Sequence, residues 1–113
     1  MADEATIIFN YKKAVGQADD LVSIAKEVRK IADNKMADSI KTIDKNWDGD
    51  NSVKFINKGN KLKDKIADSA DDIERIAGAI KSMAKTIYDG EMAALRIARE
   101  RAAAAAASKS KPK

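Results

Sequence analysis

The sequence contains no cysteine and no histidine. The first absence excludes disulfides and thiolate metal sites. The second removes the commonest general base and the commonest metal ligand. Catalysis would have to rest on carboxylates and lysines alone, and these alternate along charged helix faces at salt-bridge spacing, as in Asp19, Asp20, Asp71, Asp72 and Glu74. No concave, desolvated pocket is implied that would perturb them, so no enzyme activity and no cofactor are expected. The single proline is Pro112, so nothing before it forces a helix to break. Five glycines leave room for few loops, and 4% aromatic residues are too few for a sandwich or barrel core. No apolar run approaches the roughly 20 residues that span a membrane, so no membrane insertion is expected. The opening stretch from Met1 to Lys13 lacks a basic region followed by an apolar one, so no Sec leader is expected.

What is present is a charged, alanine- and lysine-rich chain of 113 residues, enough for one domain. Charged residues make up 35% and the net charge is +4. Arg99, Arg101, Lys109, Lys111 and Lys113 cluster at the end, and the rest of the chain is close to neutral. Without an aromatic platform this basic end reads as a solvated helix terminus, and no nucleic-acid partner is expected.

Two helical patterns flank one turn signal. The first runs from about residue 4 to 45. Its apolar residues include Ile7, Tyr11, Ala18, Leu21, Ala25, Val28, Ala32, Met36, Ile40 and Ile43, in steps of three and four. The turn spans 46–51, where Gly49 can adopt the left-handed conformation that ends a helix. Asp50, Asn51 or Ser52 can then accept the free amides that begin the next one. The second helix is expected over about 52–107. Ile66, Ile73, Ile80 and Ile87 recur every seven residues, with Phe55, Leu62, Ile76, Met83 and Ile97 in the complementary register. Beside this seam runs a stripe of small residues, Ala70, Ala77, Ala84 and Ala98, which would admit a close helix. Residues 108–113 read as a disordered basic tail.

The fold class is therefore all-α: an antiparallel two-helix hairpin, expected to pair into a four-helix bundle. At 1.5 Å per residue the first helix spans roughly 60 Å and the second roughly 80 Å. Folding about Gly49 sets the start of the first beside Met92 and leaves Leu95 and Ile97 overhanging. One internal interface buries little. An isoleucine contributes about 1.5–3 kcal/mol, against about 1–2 kcal/mol of chain entropy per ordered residue. Such cores need a metal, a disulfide or a partner. The expected partner interface comprises Ile66, Ile73, Ile76, Ile80, Met83, Ile87, Leu95 and Ile97.

Trp47-Asp48-Gly49 lies near the midpoint, between the two helices. With the chain length and layout, this resembles the WXG-motif, or ESAT-like, family of small helical proteins of bacterial type VII secretion. The resemblance implies a secretion substrate or targeting partner with Trp47 and Gly49 as the turn motif. It would bind another helical protein: a second copy, another WXG-type protein, or the helical targeting domain of a toxin. It also implies engagement by the secretion ATPase, residence in the bacterial cytoplasm before export, and then a secreted or cell-surface location. Ile87, Glu91, Ala94 and Ala98 match the family's pattern of a hydrophobic residue, an acid and two further hydrophobic residues, and with Tyr88 they form the candidate export signal. Tyr88 is followed four residues later by Met92 instead of an acid, which points toward a Firmicutes-type system rather than a mycobacterial one.

Two alternatives stand beside this one. The first is a coiled-coil adaptor that is not secreted. The second reads the turn as a weak calcium loop over 44–55, with Asp44, Asn46, Asp48, Asp50 and Ser52 at ligand positions. Phe55 stands where a bidentate carboxylate belongs.

Overall fold

The computed structural model describes residues 2–110. In chain order it holds α1 (Glu4–Lys30), a π-helical segment (Ile31–Met36), α2 (Ala37–Asn46) and α3 (Asp50–Ser110), with no strand among the described residues. The expected second helix thus begins two residues early and passes its expected end at Ala107. Alanine's high helix propensity carries it through the run Ala102–Ala107 and beyond. The rest of the expected tail, 111–113, lies outside the described residues.

Side-chain chemistry sets the helix ends. Asp3 begins α1: the Thr6 amide donates to its Oδ1 at 2.8 Å, and the Ile7 amide to its carbonyl at 3.0 Å. The Thr6 hydroxyl, and then its amide, hold the Asp3 carboxyl below the ordinary aspartate value. Trp47 ends α2 in an extended conformation, its amide donating to the Ile43 carbonyl at 2.9 Å. Gly49 then takes a φ of +111°, which a side chain would strain. Ser52 is buried, and it does not cap α3 by accepting an amide; its hydroxyl donates to the Gly49 carbonyl at 2.7 Å. The loop is shorter than 46–51 because Asp50 and Asn51 are already helical.

Contacts divide the chain into two compact units, Ala18–Gly78 and the pairing of Met1–Gln17 with Ala79–Lys113. In Ala18–Gly78 the chain turns back on itself through Trp47–Gly49 as a helical hairpin. Among the described residues its buried apolar side chains are alanines: Ala18, Ala25 and Ala32 on the first arm of the hairpin, Ala70 and Ala77 on α3. Both sets repeat every seven residues. Ile66 and Ile73 are half-buried beside them, whereas Leu62 and Ile76 are exposed. This corrects the expected seam. The column of isoleucines is complemented by the alanines that follow it at a step of four, and not by Leu62 and Ile76. Small residues bring helix axes toward the short end of the usual range of about 8–10 Å, so the larger side chains at the next position are left at the edge.

The π-helical segment has a cause in the same pattern. Along α1 the seam steps alternate: Ala18, Leu21, Ala25, Val28, Ala32. The next residues are Met36, Ile40 and Ile43, so two fours follow the four from Val28 to Ala32. A regular heptad would place Lys35, Ser39 and Thr42 against α3. The wider π turn absorbs one residue and keeps Met36, Ile40 and Ile43 half-buried instead. The expected unbroken helix over 4–45 is therefore corrected at 31–36.

In the other unit Ile7 and Ala84 are buried, and the rings of Tyr11 and Tyr88 pack at 4.8 Å between centroids, tilted by 38°. Arg99 Nη2 donates to Glu4 Oε2 at 3.3 Å. The start of α1 therefore reaches past Met92, and Leu95, expected to overhang, is half-buried. Both paired side chains are long enough to reach along the helix axes.

Candidate protein-interaction surface

In an antiparallel helix pair, residues just after a seam position border one edge and those just before it border the other. An ion pair identifies the first edge in Ala18–Gly78. Arg29 follows Val28 and Glu74 follows Ile73, and Arg29 donates to Glu74 Oε1 at 2.6 Å and to Asp71 Oδ1 at 2.5 Å. The Glu74 and then the Asp71 carboxylate raise the already high Arg29 pKa, so the guanidinium is charged at every working pH.

The opposite edge is apolar. Ile24 precedes Ala25, Ile31 precedes Ala32, Leu62 precedes Lys63, and Ile76 precedes Ala77; with Phe55 these five side chains are 45–55% exposed. Trp47, in the turn, is 45% exposed, and its ring lies 5.9 Å from that of Phe55. A groove of about 320 Å³ runs beside them, lined by Met36, Ile40, Ile43, Phe55, Gly59 and Leu62, with Lys35 and Ser39 at its margin. Apart from Trp47 in the turn, each side chain here is held by a helix, so most of the surface is laid out before any ligand arrives. One unit thus carries a charged edge that pairs within the chain and an apolar edge that does not.

The residues expected at a partner interface separate accordingly. Ile66, Ile73 and Ile80 are half-buried at the seam positions of α3, so they serve the chain's own pairing first. Ile76, Met83, Ile87 and Ile97 are exposed. Ile24 and Ile31, which in the sequence widen the first helix's apolar face beyond one seam, are exposed and belong to the apolar edge.

In the second unit the candidate export residues fall on two sides. Ile87, Tyr88 and Glu91 meet Ile7, Tyr11 and Ala14 around a groove of about 210 Å³. Ala98 is half-buried and Ala94 exposed, and neither lines that groove. Lys85 Nζ donates to Asp89 at 2.9 Å, and this carboxylate raises the lysine pKa above its ordinary value. A wider depression of about 650 Å³ on α3 is bordered by Met92, Leu95, Arg96, Arg99, Glu100 and Ala103.

The calcium-loop alternative is corrected. Asp44 and Asn46 belong to α2, and Asp50 and Ser52 to α3, so helical backbone occupies both ends of the twelve-residue loop that would gather them. Among the described residues no group of three acids could hold a metal ion. No helix among them is long and apolar enough to cross a membrane. No family model matches the chain, and no curated protein or solved structure is significantly similar to it.

Proposed function

We propose that this chain is a small type VII secretion substrate or targeting partner that works by binding another helical protein. The partner is a second copy or the helical domain of a secreted toxin, and the paired hairpins form a four-helix bundle. The observation that carries the binding half of this reading is the apolar edge of Ala18–Gly78. Alanines fill the internal seam, and Ile24, Ile31, Phe55, Leu62 and Ile76 stay in water beside it. Large apolar side chains exposed along one edge point to an interaction site. What supports the secretion half is the WXG-like turn: Trp47 is exposed with its ring tilted against that of Phe55, and among the described residues Gly49 alone takes a positive φ. Export would then follow recognition of Ile87, Tyr88, Glu91, Ala94 and Ala98 by the secretion ATPase.

Light scattering of the purified chain, alone and mixed with the helical protein encoded beside it, tests the binding half. Ile24→Glu with Ile76→Glu should abolish association and leave helix content unchanged. A chain that stays monomeric with every such neighbour at high concentration refutes the reading. For the secretion half, Trp47→Ala and Glu91→Ala should reduce export without lowering the cellular level of folded protein. Association without any export would leave a cytoplasmic coiled-coil adaptor.

A further inference from the structure

The π-helical turn ties the docking of α2 to one particular helix register. In regular α-helical geometry the residues after Met36 would stand one position, about 100°, from where they are. Lys35, Ser39 and Thr42 would then face α3, and Met36, Ile40 and Ile43 would turn away. α2 also docks lightly. It has no buried residue, and the groove of about 320 Å³ remains open where it meets α3. It comes close at Gly59, where a β-carbon would lie 3.3 Å from Ile40 Cδ1. A π turn is a rare departure, found mostly as a single-turn bulge within an α-helix, so packing is needed to hold it. Here the packing that holds it is this lightly docked helix.

We propose that the π turn is a built-in release point: α2 leaves α3 as a unit when Ile31–Met36 reverts to regular α-helix, and this frees Met36, Ile40 and Ile43. Undocking removes what holds the π turn, and the reverted turn opposes redocking because it presents polar residues to the seam. The two events are therefore coupled. The opening is local, and Ala18–Lys30 stays paired through Ala25 and the Arg29 bridge.

Hydrogen exchange of the full chain, read by mass spectrometry, tests this against the deletion of Asn34. That deletion removes the extra residue and lets an unbroken α-helix keep Met36, Ile40 and Ile43 on the seam. Amides of Ala37–Asn46 should exchange at least tenfold more slowly in the deletion variant than in the parent, with less than twofold change over Ala18–Lys30. Simple fraying beside the turn would be the same in both proteins, so equal exchange over Ala37–Asn46 overturns the proposal. Should the deletion variant lose its helicity, a disulfide between Ile40→Cys and Gly59→Cys decides instead. Oxidation should slow exchange over Ala37–Asn46 tenfold and reduction should restore it, whereas no difference between the two states overturns the proposal.

Discussion

Substituting Ala77 by leucine and its neighbour Ile76 by alanine asks which side of α3 carries the internal seam. Ala77 is 1% exposed and Ile76 is 55% exposed. Leucine at position 77 adds three carbons where the helices are closest, and overpacking of this kind costs about 1–3 kcal/mol. The unfolding entropy of a 113-residue chain is about 0.24 kcal/mol/K. Each kcal/mol therefore lowers Tm by about 4 °C, and Ala77→Leu should lose about 4–13 °C. Ile76→Ala removes a side chain already half in water, and an exposed change of this kind stays within about 0.5 kcal/mol, or about 2 °C. Far-UV circular dichroism during heating, at low micromolar protein, measures both. Repeating the scans at tenfold higher concentration adds a second readout. Association stabilises by mass action, so the parent Tm should rise with concentration if copies pair, and Ile76→Ala should blunt that rise. The seam assignment is refuted if, at the lowest concentration, Ile76→Ala loses more than Ala77→Leu.

Gly49→Ala should destabilise by about 1 kcal/mol or more, seen in urea melts as a lower midpoint with an unchanged slope. A β-carbon there meets nothing within 4 Å, so the whole effect comes from the positive φ. Arg29→Glu should lower Tm by placing three acids together, and adding Glu74→Arg should recover part of the loss; no recovery would mean the bridge does not couple the helices. The pH dependence has a definite sign at each end. Asp3 has a folded pKa below the ordinary aspartate value of 3.8, so its contribution is present above that value and disappears as acid takes the pH through the folded pKa. Lys85 has a folded pKa above 10.5, so its contribution is complete below 10.5 and disappears as alkali takes the pH through the folded pKa. Acid titrations of Asp3→Asn and alkaline titrations of Lys85→Gln should each lack the matching loss.

Helix content, the turn at Gly49 and the seven-residue period were legible because each depends on local properties: propensity, a positive φ and spacing. The seam's identity was harder, because two apolar columns flank the same isoleucines. Leu62, Ile76 and Met83 each lie four residues before an isoleucine, and Ala70, Ala77 and Ala84 each lie four residues after one. Hydrophobic size favours the first column. Fit to the opposing helix favours the second, and only the matching repeat of Ala18, Ala25 and Ala32 on the other helix reveals that fit. The π segment was likewise written in the sequence, as the two fours from Ala32 through Met36 to Ile40, but steps of three and four mark a helix face whether or not they alternate, and only their order reveals the extra residue. The Arg29 bridge to Asp71 and Glu74 joins residues more than forty positions apart, so no local pattern could show it.

The placement of alanine explains why the open surface lies where it does. A helix pair that fills its seam with isoleucine and leucine hides its large side chains between the helices and can leave its edges polar. Here the close approach of two alanine columns shuts the seam to anything larger, so Ile24, Ile31, Leu62 and Ile76 stand on the flank with about half their surface in water. On the other flank, at the matching positions, stand Arg29 and Glu74, which satisfy each other. Exchanging the two kinds of residue between seam and flank would leave composition and period untouched and would remove the sticky edge. A variant with Ala25→Ile, Ala77→Ile, Ile24→Lys and Ile76→Glu should therefore keep its helix content, lose association with any helical partner, and remain monomeric in light scattering at concentrations where the parent pairs. If that variant still assembles like the parent, the flank is not the binding surface, and the residues of α3 beyond Gly78 would have to carry it.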